Sequence, residues 1–325
     1  MSLLASRRPR TSMMIRWSGW SMLATFLAVA CADGSTAPAA TDRLEIVFGF
    51  AVGDTIPNGE LRLMSADGKT QRQLVSLPGP EYDPNWSPDG RVIMFAREYG
   101  SPLWLVNADG TGLRALPIPP HFSGGARWSP DGAWITFAYW AEDGGSSQIG
   151  VMRTDGTGLR SVTGEQVRDA VSGPAWSRDG RIAFTRQGAG GASSIWTVNV
   201  DGTNLTRLTT GTWDVLPRWS PDGRQLLFET ELNPAPGVYE GRIAIVNADG
   251  SGRRLLTSSI ADGDDDNPSW SPDGQWILYS HWTRTPRIDC SFYKIPANGG
   301  TPVPMMSDMP AGACLGSSWR APGAP

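Results

Sequence analysis

RWSPDGRQLLFET, residues 218–230, reads as a strand, a tight polar turn and a second strand. The phrase returns as NWSPDGRVIMFAR from Asn85, RWSPDGAWITFAY from Arg127, AWSRDGRIAFTR from Ala175 and SWSPDGQWILYSH from Ser269. A worn copy, SWRAPG, begins at Ser318. The six tryptophans Trp86, Trp128, Trp176, Trp219, Trp270 and Trp319 are spaced 42, 48, 43, 51 and 49 residues apart. Periods of that size signal a solenoid, a propeller or an array.

A second phrase alternates with the first. LRLMSADGKTQRQL starts at Leu61, LWLVNADGTGLRAL at Leu103, IGVMRTDGTGLRSV at Ile149, IWTVNVDGTNLTRL at Ile195, IAIVNADGSGRRLL at Ile243, and a variant, FYKIPANGGTPVPM, at Phe292. Each is an alternating strand, an Asp-Gly or Asn-Gly hairpin turn and another short strand. Four antiparallel strands per unit, six times over, predict an all-β, six-bladed β-propeller. The chain begins and ends out of phase with the repeat. LEIVFGF (44–50) matches the strand after the SPDG turn and SSWR (317–320) the strand before it. The C-terminal strand is therefore predicted to complete a blade with three N-terminal strands, closing the ring and removing both open edges. The propeller is predicted to fill residues 43–320, with 321–325 as a tail.

These residues carry a family resemblance. D-x-x-P-x-W-S-P-D-G followed by a later D-G-[TS] resembles the TolB-like, or WD-repeat-like, propeller repeat, most fully at Asp214–Gly223 and Asp265–Gly274. The resemblance implies the propeller alone, without the extra N-terminal α/β domain of TolB, and a protein or peptide partner at the channel mouth.

Residues 1–30 read as a secretory signal: Arg7, Arg8, Arg10 and Arg16, then an apolar run from Trp17 to Ala30. That run is too short to span a bilayer, which takes roughly 20 residues. LAVAC resembles a bacterial lipoprotein signal with Cys31 as the acylated residue, although Ala28 stands where leucine is usual and Ala28-Val29-Ala30 also suits an ordinary signal peptidase. Residues 31–42 are small and polar, as in a flexible tether. The expected location is the cell envelope or periplasm, with membrane contact only through that lipid. Cys290 and Cys314 then predict one disulfide in an oxidising compartment; two unpaired thiols are the alternative.

The whole chain has 28 basic and 32 acidic residues; without the four leader arginines, 24 stand against 32, a balance of −8. Nucleic acid, which needs a basic patch, is not an expected partner. A cation or a basic partner suits the charge better, and a monomer is expected.

The SPDG and ADG turns share one end of every blade and are uniform, so function is sought in the irregular loops at the other end. Asp83, Asp169, Asp214, Asp265 and Asp266 precede the inner strands there and form a candidate acidic mouth, or else cap loops. Asp262, Asp264 and Asp266 supply oxygen ligands of the kind Ca²⁺ takes, but without EF-hand spacing, so a solvated acidic loop is the competing reading. Trp140, Trp213 and Trp282, with His121 and His281, suit peptide or sugar contact. One tryptophan per blade in the WSPDG phrase reads as scaffold. With two histidines and no hydrolase or phosphate-loop motif, the sequence favours a non-enzymatic binding scaffold without a cofactor. The alternative is a carbohydrate-binding or lyase-type propeller.

Overall fold

The computed structural model describes residues 44–52, 59–97, 102–117, 122–140, 147–164, 167, 169–211, 213–235, 238–258, 263–283, 289–306 and 312–321. The predicted leader, tether and Cys31, together with His121 and Asp262, lie outside them.

Twenty-four strands form six four-stranded antiparallel sheets. The first blade holds β1 (Leu44–Val52), β2 (Gly59–Ser65) and β3 (Gln71–Ser76), and the second β4 (Tyr82–Trp86), β5 (Val92–Ala96), β6 (Leu103–Asn107) and β7 (Arg114–Leu116). The third holds β8 (Phe122–Trp128), β9 (Trp134–Trp140), β10 (Ser147–Arg153) and β11 (Arg160–Ser161). The fourth holds β12 (Ala170–Trp176), β13 (Arg181–Gln187), β14 (Ser193–Asn199) and β15 (Thr206–Arg207). The fifth holds β16 (Asp214–Trp219), β17 (Gln225–Ala235), β18 (Val238–Asn247) and β19 (Arg254–Leu255). The sixth holds β20 (Gly263–Trp270), β21 (Trp276–Thr283), β22 (Asp289–Pro296) and β23 (Val303–Met305). The last strand, β24 (Gly312–Trp319), pairs with β1, Ile46 opposite Trp319 and Val52 opposite Gly312. The ring closes as the out-of-phase termini predicted.

The core consists of six clusters, one between each pair of neighbouring sheets. Val47 and Leu61 of the first blade pack with Ile93 and Phe95 of the second, and the series ends with Ile46 and Phe48 of the first blade against Leu278 and Phe292 of the sixth. Each WSPDG tryptophan belongs to one cluster: Trp86 and Trp219 are buried, while Trp128, Trp176, Trp270 and Trp319 pack half-buried at the edges. They are scaffold. A large indole at every junction supplies much of the apolar area that holds otherwise separate sheets together.

The turns explain their own spelling. In SPDG, the serine hydroxyl donates to the aspartate two residues on, as from Ser87 to Asp89 and from Ser220 to Asp222, both 2.6 Å. The same oxygen accepts the backbone N–H two residues later, Arg91 at 3.1 Å and Arg224 at 3.0 Å. In ADG, Asp109 accepts both the N–H and the hydroxyl of Thr111. These hydrogen bonds to the ionised form hold the turn aspartates below the usual carboxylate range.

Two hairpins run further into the irregular end than loops would. At that end, where irregular loops are expected, β17 continues to Ala235, β18 resumes at Val238, β21 reaches Thr283 and β22 starts at Asp289. The cross-strand register is unbroken from Gln225–Asn247 to Leu232–Glu240, so polar side chains do not end the ladder there. The acidic run changes character for the same reason. From Gly263 onward it is strand β20, paired with β21, rather than a solvated loop.

Candidate functional site

The site begins with a backbone irregularity common to all six blades. Three residues before each WSPDG tryptophan the chain turns left-handed: Asp83 (φ 50°), Gly125 (69°), Gly173 (56°), Leu216 (54°), Asn267 (50°) and Gly316 (96°). The pairing of each inner strand slips at the same place. These are β-bulges. Proline follows in four blades, at Pro84, Pro174, Pro217 and Pro268, where the bulge removes the need for a ladder N–H. The bulges meet round the axis: a Cβ on Gly125 would stand 3.1 Å from the Cα of Gly173, and one on Gly316 would stand 3.1 Å from the Cα of Asp83.

Within this repeated frame the side chains differ from blade to blade. Asp83 is the only charged residue among the six bulge positions, and Arg127 and Arg218 are the only ones among the positions just before the tryptophans. Arg127 grips the Asp83 carboxylate with both terminal nitrogens, each at 2.6 Å, a bidentate pair. Arg218 comes from the fifth blade, three blades on from Asp83 and so across the ring, and its Nη2 lies 4.0 Å from the same carboxylate. Each guanidinium also donates to the carbonyl before it, Arg127 to Ala126 at 2.7 Å and Arg218 to Pro217 at 3.0 Å. One carboxylate thus stands between two arginines at the axis.

Two further acids flank this group. Glu229 on β17 accepts the Asn267 N–H at 2.6 Å, and burial raises its carboxyl to about 7 against the pull of that bond and of Arg218. Asp266 accepts the Trp282 indole N–H at 2.8 Å, and burial, reinforced by nearby Glu229, pushes its carboxyl well above the usual range. Burial and the charge of Arg127 lower Arg218 to about 9, more than Asp83 and Glu229 can offset. Burial thus weakens the negative charge of both flanking acids, which leaves the Arg127–Asp83 pair as the close ion pair of the group.

The expected acidic mouth therefore takes another form. Asp169 pairs with Arg186 at 2.6 Å, and that guanidinium stacks over Trp196. Asp214 is fully buried and accepts from Thr230 at 2.8 Å, Arg253 at 3.2 Å and the Gly211 N–H at 3.2 Å. Asp265 is buried against the Nδ1 of His281 at 2.7 Å. Asp264 accepts the Gly241 N–H of the neighbouring blade at 2.8 Å. Among the described residues no three His, Cys, Asp or Glu side chains form a group that could hold a metal ion. His281 is as buried as its aspartate and edges onto Tyr293. Trp213 is half-buried beside a parallel bridge to Ser193, whereas Trp140 is 43 % exposed at the end of β9. Cys290 and Cys314 are joined in a disulfide.

Replacing Asp214 by alanine is expected to cost about 2 kcal/mol in urea unfolding, because Thr230 and the Gly211 N–H lose a buried acceptor. Arg253, 39 % exposed, can turn to water, which keeps the loss below that of a fully buried pair. A loss under half that size would show that Asp214 is not a structural carboxylate.

The sequence reading missed Arg127, Arg218 and Glu229. A signal existed for the arginines: the residue before the repeat tryptophan is Asn85, Arg127, Ala175, Arg218, Ser269 and Ser318, so charge enters that column only twice.

The profile of the TolB beta propeller domain family matches residues 59–309. An uncharacterised protein of Agrobacterium fabrum is 30% identical over 129 residues, 38% of this chain and 43% of that one. The Tol-Pal system protein TolB of Syntrophus aciditrophicus is 35% identical over 100 residues, 29% of this chain and 21% of that one. The chain thus spans less than half the length of these relatives. The crystal structure of TolB from Acinetobacter baumannii superposes with a TM-score of 0.71 at 19% identity, over 87% of this chain and 68% of that one, a likeness of fold.

Proposed function

The chain belongs to the TolB beta propeller domain family, and we propose that it is an exported, non-enzymatic binding scaffold whose irregular end receives a protein or peptide partner. One observation carries this reading. At the uniform end the turn aspartates are bonded within their own turns, while away from it the side chains differ from blade to blade, with an arginine–aspartate group at the axis and Trp140 exposed at the end of β9. A rigid ring presenting non-repeating side chains at one end is suited to recognition, since the scaffold holds them without being made of them.

The relative named as a Tol-Pal system protein supports a protein partner. The arginines near the N-terminus, the apolar run and Cys31 support export to the cell envelope and a lipid tether there. The balance of −8 favours a basic partner at long range, although contact at the axis meets arginines as well as acids.

The test is capture of the partner from the native envelope followed by hydrogen-exchange footprinting of the complex. Protection is expected around Trp140, Asp169 and Trp282, and Trp140→Ala should weaken the complex about tenfold with an unchanged unfolding midpoint. Protection confined to the SPDG and ADG turns would overturn the reading.

A further inference from the structure

The axis group is asymmetric in a way that neither the repeat nor the fold requires. Four of the six positions before the tryptophans are small or neutral, namely Asn85, Ala175, Ser269 and Ser318. The ring closes with those residues, so Arg127 and Arg218 are not needed to build it. Their side chains are 13% and 14% exposed and converge from different blades on one carboxylate, that of Asp83, which is 35% exposed. Arg127 is satisfied by that carboxylate. Arg218 is not: at 4.0 Å it is beyond hydrogen-bond distance of Asp83, and among the described residues the one hydrogen bond of its guanidinium goes to the Pro217 carbonyl. A guanidinium with five donors, one of them engaged, is thus held at the axis beside a second guanidinium.

The surroundings do not supply the missing acceptor. Glu229 is turned to the Asn267 N–H and Asp266 to the Trp282 indole. The neighbouring bulge positions are Gly125, Gly173 and Leu216, which carry no charge. Burial and the charge of Arg127 lower the Arg218 guanidinium to about 9, and Asp83 and Glu229 do not offset this.

We propose that Arg127 and Arg218 form a carboxylate-binding site for an acidic segment of a docked peptide, and that Asp83 is the internal carboxylate occupying part of it. Planar guanidinium forks match a carboxylate in two dimensions, which is why paired arginines are selective for that group. The incoming carboxylate takes the free donors of Arg218 first and shares Arg127 with Asp83. This inference rests on the reading that a partner docks at the irregular end and names the chemistry of the segment reaching the axis.

The experiment uses Asp83→Asn, because asparagine tolerates the left-handed backbone that Asp83 adopts (φ 50°) and removes only the charge. Titration calorimetry at low salt with the capped peptide acetyl-Gly-Glu-Gly-amide is expected to show binding at least tenfold tighter to this variant than to the wild type. The glutamine counterpart should not bind, and adding Arg218→Gln should abolish the gain. If that variant fails to fold by circular dichroism, Arg218→Lys takes its place and is expected to weaken binding at least fivefold by losing the planar fork. Absence of binding by the Asp83→Asn protein, or binding unaffected by the change at Arg218, would overturn the proposal. Binding of glutarate but not of the glutamate peptide would overturn the peptide as ligand in favour of a free small carboxylate. A partner captured at the irregular end with no carboxylate binding at the axis would leave the docking reading standing and remove this one.

Discussion

Replacing Cys290 and Cys314 together by alanine is expected to lower stability by about 3.5 kcal/mol and the unfolding midpoint by about 6 °C. The disulfide closes a loop of 24 residues. On the chain-entropy view a loop of that size gives about 3.5 kcal/mol at 25 °C. What it joins makes the effect visible: Cys290 lies on β22 of the sixth blade and Cys314 on β24, the strand that completes the first. It therefore ties the last full blade to the closing strand, where the covalent chain alone would leave the ring free to open. Both half-cystines sit in the cluster of Ile46, Phe48 and Phe292, so the bond also fixes packing at that junction. Urea unfolding of the double variant against the wild type measures the difference. A loss below about 1 kcal/mol would mean that β1–β24 pairing and apolar packing close the ring unaided.

The junction was legible before the structure, whereas the axis was not, and the reason is physical. A propeller blade is a local object. Its strands, turns and tryptophans recur within 42–51 residues, so pattern alone exposes them. The phase of the two termini then dictates how the ring closes. The axis is assembled from residues that are remote in sequence, since Asp83 and Arg127 are 44 residues apart and Arg218 stands on the far side of the ring. Counting aspartates before inner strands located Asp83, Asp214 and Asp265 at the right end of the blades but gave no sign of what neutralises them.

Part of that pairing was nonetheless within reach. Asp214 meets Thr230, Asp265 meets His281 and Asp266 meets Trp282, each sixteen residues on. That interval is the cross-strand register between an inner strand and its neighbour, as the opposition of Asp214 to Thr230 and of Asp265 to His281 shows. Once the repeat is aligned, the residue sixteen places on is the natural partner of Asp214 and of Asp265. For Asp214 and Asp265 that partner is polar, which points to structure before ligand.

Glu81→Gln is expected to stabilise the protein by about 3 kcal/mol at pH 8 and to leave it unchanged near pH 4. Glu81 is fully buried, and neither carboxylate oxygen has a hydrogen-bond partner. Its backbone lies tightly against Gly49 and Gly59 of the first blade, where even a Cβ would collide with it. Burial raises its carboxyl from 4.5 to about 7; the charge of Arg97 and the nearby Leu77 and Glu81 backbone N–H groups oppose the rise without cancelling it, and Glu60 adds to it. The sign follows from which state holds the proton. Between pH 4.5 and 7 the folded chain keeps a proton that the unfolded chain has released, so stability falls as pH rises through that window and is level above it. Glutamine cannot ionise, and the variant loses this slope while keeping the shape of the side chain. The difference between the two urea-unfolding curves, measured from pH 4 to 8, isolates Glu81 from every other titrating group. Parallel curves across the window would show that Glu81 is ionised in the folded ring, with Arg97 as a sufficient counter-charge. A gap that opens between pH 4.5 and 7 would show the first and second blades packed around a neutral acid, retained at a cost in stability that an amide removes.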